Sequence, residues 1–126
     1  MGKKTIWFAC TSILLIIVVA YIVISTTHIN EQFYLKRAWD EADQSNHILN
    51  WQEGEVSVIA LHDKRIKQLF IPKPTANANF SRRLLWINGN KVVRVLFHTD
   101  NEGLLGPITV YFNPITKQVV GYDVKF

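Results

Sequence analysis

The sequence predicts an α+β protein: an N-terminal single transmembrane helix followed by one long helix packed on an antiparallel β-meander. Three observations carry that prediction. Residues 6–24, IWFACTSILLIIVVAYIVI, contain no charge, no Gly and no Pro. Residues 29–50 are again free of Gly and Pro, and Leu35, Ala38, Trp39, Ala42 and Leu49 share one helical face. The C-terminal part alternates apolar and polar residues in short runs separated by turn-forming clusters.

The apolar run is long enough to cross a bilayer. As a helix it spans about 28 Å, close to the ~30 Å hydrocarbon core. Helical geometry satisfies the backbone groups that lipid cannot. Twelve of its residues are Ile, Leu, Val or Phe, which favour insertion by roughly 4–7 kcal/mol as an upper range. A buried helix of a soluble core would need other apolar helices around it, and the sequence has none. Lys3 and Lys4 precede the run, while the nearest following cations are Lys36 and Arg37. That asymmetry orients the N-terminus in the cytoplasm, with Trp7 and Tyr21 near the two interfaces. The run exceeds the ~7–15 residues of a signal-peptide core. Val23-Ile24-Ser25 is also a poor cleavage site, so an uncleaved anchor is expected. Trp7-Phe8-Ala9 before Cys10 is the wrong context for a lipoprotein, and Ile6 stands where myristoylation requires Ser or Thr. The expected organisation is a cytoplasmic stub (1–5), a transmembrane anchor (6–25) and an extracytoplasmic α+β domain (26–126). The localisation that follows is the cell membrane, single-pass, with the domain outside.

The chain has 126 residues and fourteen Lys plus Arg against ten Asp plus Glu. Two of the cations belong to the stub, so the domain is nearly balanced. This argues against a nucleic-acid partner. The single cysteine, Cys10, lies within the anchor, so the domain has no disulfide. A small outward-facing domain without disulfides fits a bacterial surface protein better than a secreted eukaryotic one.

Beyond the anchor, Ser25-Thr26-Thr27 either caps a new helix or continues the first. On the helix over 29–50, Glu31, Arg37, Glu41 and Gln44 fall off the apolar face. That face is expected to lie on the domain's own sheet, since a helix lying on the bilayer would carry a cationic polar side. Gly54 ends the helical region. Glu55–His62, EVSVIALH, has the β-branched composition of a strand. Asp63-Lys64 reads as a turn and Arg65–Ile71 as a second strand. Ile71-Pro72-Lys73-Pro74 blocks regular structure, and the following TANANFS reads as an exposed loop. Arg83–Asn88 is expected to pair with Lys91–Thr99 across an Asn88-Gly89-Asn90 hairpin. Val93, Val95 and Phe97 share a face of the latter strand. Gly106–Phe112 presents Ile108, Val110 and Phe112, and Gln118–Phe126 presents Val120, Tyr122, Val124 and Phe126. A sheet with one apolar face needs a cover, and the helix over 29–50 is the candidate.

The last third of the chain, VVRVLFHTDNEGLLGPITVYFNPITKQVVGYDV, resembles a PepSY-type hairpin. In that family a turn similar to D-P-x-T-G-K precedes the final strand. Here Asn113-Pro114-Ile115-Thr116-Lys117 occupies that turn, with Asn for Asp and without the Gly before Lys117. The resemblance implies a membrane-anchored extracytoplasmic module that binds or restrains another protein. The order of helix then meander is also similar to cystatin-like and NTF2-like folds, which host many functions.

Catalytic and metal chemistry find little support. His28, His47, His62 and His98 show no i, i+4 pair and no cysteine joins them. His62 and His98 lie near strand ends, where they could meet across the sheet. Asp40, Glu41 and Asp43, with Glu53 and Glu55, read as a solvated helix face unless a cleft gathers them. Ser45, Ser57 and Ser81 lack a nucleophile motif, and no glycine loop for phosphate is present. Two sets carry binding character. Lys64, Arg65, Lys67, Lys73, Arg82 and Arg83 flank the long loop, either as a solvated face or as a patch for polyanions. Trp51, Phe80, Trp86 and Tyr111 belong either to the core or to an exposed protein-binding surface. The site expected from these is Phe80, Arg82, Arg83 and Trp86. The function expected is a non-enzymatic, membrane-anchored extracytoplasmic protein-interaction or regulatory module. Its partners are the lipid bilayer and a protein at or near the membrane surface, with no cofactor, no metal and no nucleic acid. The alternatives are a small anchored enzyme or enzyme subunit using His62 and His98, and a binding module for anionic lipid or cell-wall polymer.

Overall fold

The computed structural model describes residues 2–41, 50–69, 76–99 and 107–124. The N-terminal helix α1 runs Lys3–Thr27, about 37 Å at 1.5 Å per residue. It is long and apolar enough to cross a membrane. The hydroxyls of Thr11, Thr26 and Thr27 are satisfied internally, each donating to the carbonyl four residues back at 2.7 Å. The helix thus continues through Ser25–Thr27. A separate residue starts the next helix, as Asn30 Oδ1 accepts from the Phe33 amide at 3.2 Å.

Helix α2, Glu31–Glu41, buries Tyr34, Leu35 and Ala38. Trp39 is half-buried, and Ala42 and Leu49 lie outside the described residues. A one-turn 3-10 helix, Trp51–Glu53, leads through Gly54 into β1, Glu55–Ala60. Helix α3, Asp63–Gln68, and helix α4, Ala76–Arg83, follow. A second 3-10 helix, Leu84–Asn88, precedes β2, Lys91–Phe97. Strands β3, Ile108–Phe112, and β4, Val119–Val124, complete the described chain. Among the described residues the strands form one antiparallel sheet in the order β1-β2-β3-β4. The protein is therefore α+β, as the sequence predicts.

Several local expectations are corrected, beginning with Asp63-Lys64, which is no turn but the start of helix α3. Residues 65–71 do not begin a strand: Ile66 and Leu69, three apart, are both buried, and only a helical turn puts them on one face. β-propensity spans about 1 kcal/mol, whereas burying each of these side chains contributes about 1.5–3 kcal/mol, so burial decides. The expected loop TANANFS is mostly helix α4, with Ala78 and Ser81 buried at the same three-residue spacing. The expected strand 83–88 is the tail of α4 and the 3-10 turn that buries Leu85.

Asn88-Gly89-Asn90 consequently closes a helix instead of a hairpin. Gly89 (φ 71°) and Asn90 (φ 61°) are both left-handed. Their amides return to Trp86 and Leu85 at 3.2 and 2.8 Å, as a helical C-terminus requires. Strand β2 pairs with β1, and the chain between them crosses the sheet as α3, α4 and the 3-10 helix.

The sheet is covered on both faces. Tyr34, Leu35 and Ala38 pack on Val93, Val95, Phe97, Val110 and Phe112. On the reverse face Ile66, Leu69 and Leu85 pack with Val92, Tyr111 and Val120. Val120 was expected to share a face with Tyr122. A bulge instead leaves it unpaired, with Phe112 opposite Val119 and Tyr111 opposite Gly121, and it turns to the reverse core. The side chain of Val124, and Phe126, lie outside what is described.

Candidate functional site

Helix α4 begins beyond the two prolines and carries three of the four expected site residues. Ala78 and Ser81 face inward, so Phe80 faces outward and is 60% exposed. Trp86, on the following 3-10 turn, is 73% exposed. Of the aromatics with two readings, Phe80 and Trp86 are surface residues. Tyr111 belongs to the reverse core, and the half-buried Trp51 stacks on Trp39 at 6.4 Å.

The two arginines have different roles. Arg82 is half-buried, and its guanidinium donates to the carbonyls of Ile66 and Leu69, the latter at 3.0 Å. It adds a donor to the Ile66 carbonyl, which also accepts from the Leu69 amide at 3.2 Å, and reaches the Leu69 carbonyl just past the end of the short helix α3. Burial lowers its pKa. Arg82 is thus a clamp between α3 and α4. Arg83 is exposed and free of that contact.

A groove of about 500 Å³ runs between α3 and α4. Asp63 and Lys67 line it from α3, Asn79 and Arg83 from α4, and Trp86 and Asn90 from the segment before β2. Asn90 donates from Nδ2 to Asp63 at 2.6 Å, which occupies part of that carboxylate. The remaining character is cationic beside one indole, suited to an anionic group with an apolar neighbour. The structure therefore brings Arg82, Arg83 and Trp86 to one groove, and Phe80 onto the same helix outside its lining. Asp63, Asn79 and Asn90 escaped sequence reasoning. Their convergence depends on α3 and α4 being helices, which no local pattern announced.

No protein-family model, curated protein or solved structure matches the chain, so none of them identifies a PepSY-type or cystatin-like module.

The remaining candidates are not brought together. His62 precedes α3 at one end of the β1–β2 pair, and His98 follows β2 at the other. The length of β2, about 20 Å, separates them. Asp40 and Glu41 pair on their own helix with Lys36 at 3.1 Å and Arg37 at 3.5 Å. Among the described residues no group of His, Cys, Asp or Glu is placed to hold a metal ion. Lys64, Arg65 and Lys67 share α3, while Lys73 lies outside the described residues.

The turn after β3 ties three elements together. Asn113 is fully buried. Its Nδ2 donates to the Ser81 carbonyl at 2.7 Å, and its Oδ1 accepts from the Ile115 amide at 2.8 Å. The hydroxyls of Ser81 and Thr116 lie 2.7 Å apart. The Ile115 carbonyl accepts from the Tyr21 hydroxyl of α1 at 2.9 Å. The Lys117 ammonium sits 5.5 Å from the centre of the Phe33 ring of α2.

Proposed function

We propose that the chain is a single-pass membrane protein, N-terminus in the cytoplasm, whose extracytoplasmic domain is a non-enzymatic interaction module for a protein partner at the membrane. The observation that supports it most is the pairing of an apolar helix, exposed over its first five turns, with an exposed aromatic and cationic groove. Gly2 to Tyr21 are all exposed, which in water would be strongly unfavourable and in a bilayer is favourable. Trp86 and Arg83 at the groove are residue types that dominate binding energy at protein interfaces. The resemblance of the Asn113–Lys117 turn to PepSY-type modules points the same way.

A photo-crosslinking side chain in place of Trp86, in the full chain in its own membranes, tests the proposal. The expected result is one protein adduct of discrete mass that is missing when the probe replaces Val58 on β1. Adducts with lipid alone, or the same adducts from both positions, would sink it. Crosslinking that fades steeply with added salt would favour a polyanion instead.

A further inference from the structure

The bond between α1 and the β3–β4 turn carries a consequence for how the domain meets the bilayer. Among the described residues, helix α1 is buried only in its last turns, where Ile22 and Ser25 are half-buried and Thr26 is buried. The apolar run ends at Ile24. Tyr21 lies about 4.5 Å inside that end, at the depth where tyrosine hydroxyls meet the headgroup layer. Its hydroxyl is bonded to the Ile115 carbonyl, so the turn hangs beside the end of the anchor at the same depth.

The turn is held there. Asn113 and Thr116 are both bonded to Ser81 of α4, and Lys117 is held at φ 60° with its ammonium near the ring of Phe33. Phe33 is 40% exposed, whereas Tyr34, Leu35 and Ala38 of the same helix are buried. One aliphatic, one aromatic and one cationic side chain therefore lie together at interfacial depth. This is the mixture that settles at a headgroup boundary, with the cation reaching phosphate and the apolar groups lying beneath.

We infer that Ile115 and Lys117 of the β3–β4 turn, with Phe33 of α2, form a foot that rests in the phospholipid headgroup layer of the leaflet α1 exits. The inference rests on reading α1 as a membrane anchor. It also deepens the proposed function. Ala60 pairs with Lys91, and Val93 with Phe112. The end of the sheet that carries the foot therefore also carries Asp63 and Asn90, and with them the groove. A partner entering the groove approaches along the bilayer surface, as a juxtamembrane segment of a second membrane protein does.

The test uses the full chain with Cys10→Ser, reconstituted in vesicles of phosphatidylcholine and phosphatidylglycerol that contain headgroup-spin-labelled lipid. A fluorescent label is placed at Lys117→Cys, at Ile115→Cys or, as the distant control, at Glu55→Cys. Glu55 pairs with Leu96 near the opposite end of the sheet. The expected result is quenching at both foot positions several-fold stronger than at position 55. Equal quenching at all three positions, with the chain retained on alkaline carbonate extraction, overturns the foot alone. Release of the chain by carbonate overturns the anchor reading and the foot together.

Discussion

Asn113 uses its side-chain amide at both ends, donating to Ser81 and accepting from Ile115. A carboxylate there would set an acceptor against the Ser81 carbonyl in a site without solvent. Asn113→Asp is expected to destabilise the full chain by about 1–3 kcal/mol, measured as a lower denaturant midpoint in micelles. A midpoint equal to wild type would show that the turn does not depend on that donor. Asn at this position thus has a physical reason in the contact with α4. Tyr34 and Tyr122 supply a second residue-level expectation. Burial, reinforced by Tyr21, pushes Tyr34 up to about 12, and burial, reinforced by Glu41, pushes Tyr122 up to about 12. The folded state holds these protons after the unfolded chain, titrating near 10, has lost them. Their contribution is therefore fully present below pH 10 and is lost as the pH rises through about 12. Alkaline unfolding monitored with the phenolate absorbance should show tyrosine ionisation and loss of structure together above pH 10. Free titration of all tyrosines near 10 with the fold intact would contradict this.

At the scale of elements, the helix α3 is only six residues long and depends on its neighbours. Arg82 caps its last carbonyls, while Arg83 one position on makes no such contact. Arg82→Ala should cost about 1–3 kcal/mol, whereas Arg83→Ala should change stability by no more than about 0.5 kcal/mol. Binding lost in the Arg82 variant would then report the fold, and binding lost in the Arg83 variant would report the groove. Strand β4 packs equally closely: a Cβ at Gly121 would stand 2.5 Å from Leu69 Cβ. Gly121→Ala should therefore destabilise by about 1–3 kcal/mol, read as a drop in Tm. No drop would mean that α3 shifts freely on the sheet. The strands β1 to β4 were legible because their apolar residues alternate or cluster in β-branched runs. The helices α3 and α4 were not, because short helices show too few turns for their period to emerge. RIKQLFI matches a strand template as well as a helical one until Leu69 is seen packed on Gly121.

At the scale of the whole molecule, α1 and the domain form a continuous unit through Thr26, Tyr21 and Ile115. If the topology is amino-in, protease added to intact cells should remove the domain and leave the stub protected. A domain cut only after lysis would reverse the orientation. Of the expected site, Phe80 was legible as an aromatic in polar surroundings and Arg83 as a nearby cation, whereas the exposure of Trp86, within the apolar run 84–87, was decided only by the fold. That Arg82 is turned inward was not legible, since its acceptors are backbone carbonyls that any sequence would supply.

The sequence by itself determined the apolar helix, the α+β class, the four strands β1 to β4 and the turn at Asn113–Lys117, because each follows from composition and period over neighbouring positions. Only the tertiary structure decided that the sheet is covered on both faces, that Val120 turns to the reverse core and that Asn88-Gly89-Asn90 ends a helix. It alone brought Tyr21 to Ile115 across 94 residues of chain. Those outcomes depend on which surfaces are buried against each other, and that competition is settled between segments distant in sequence.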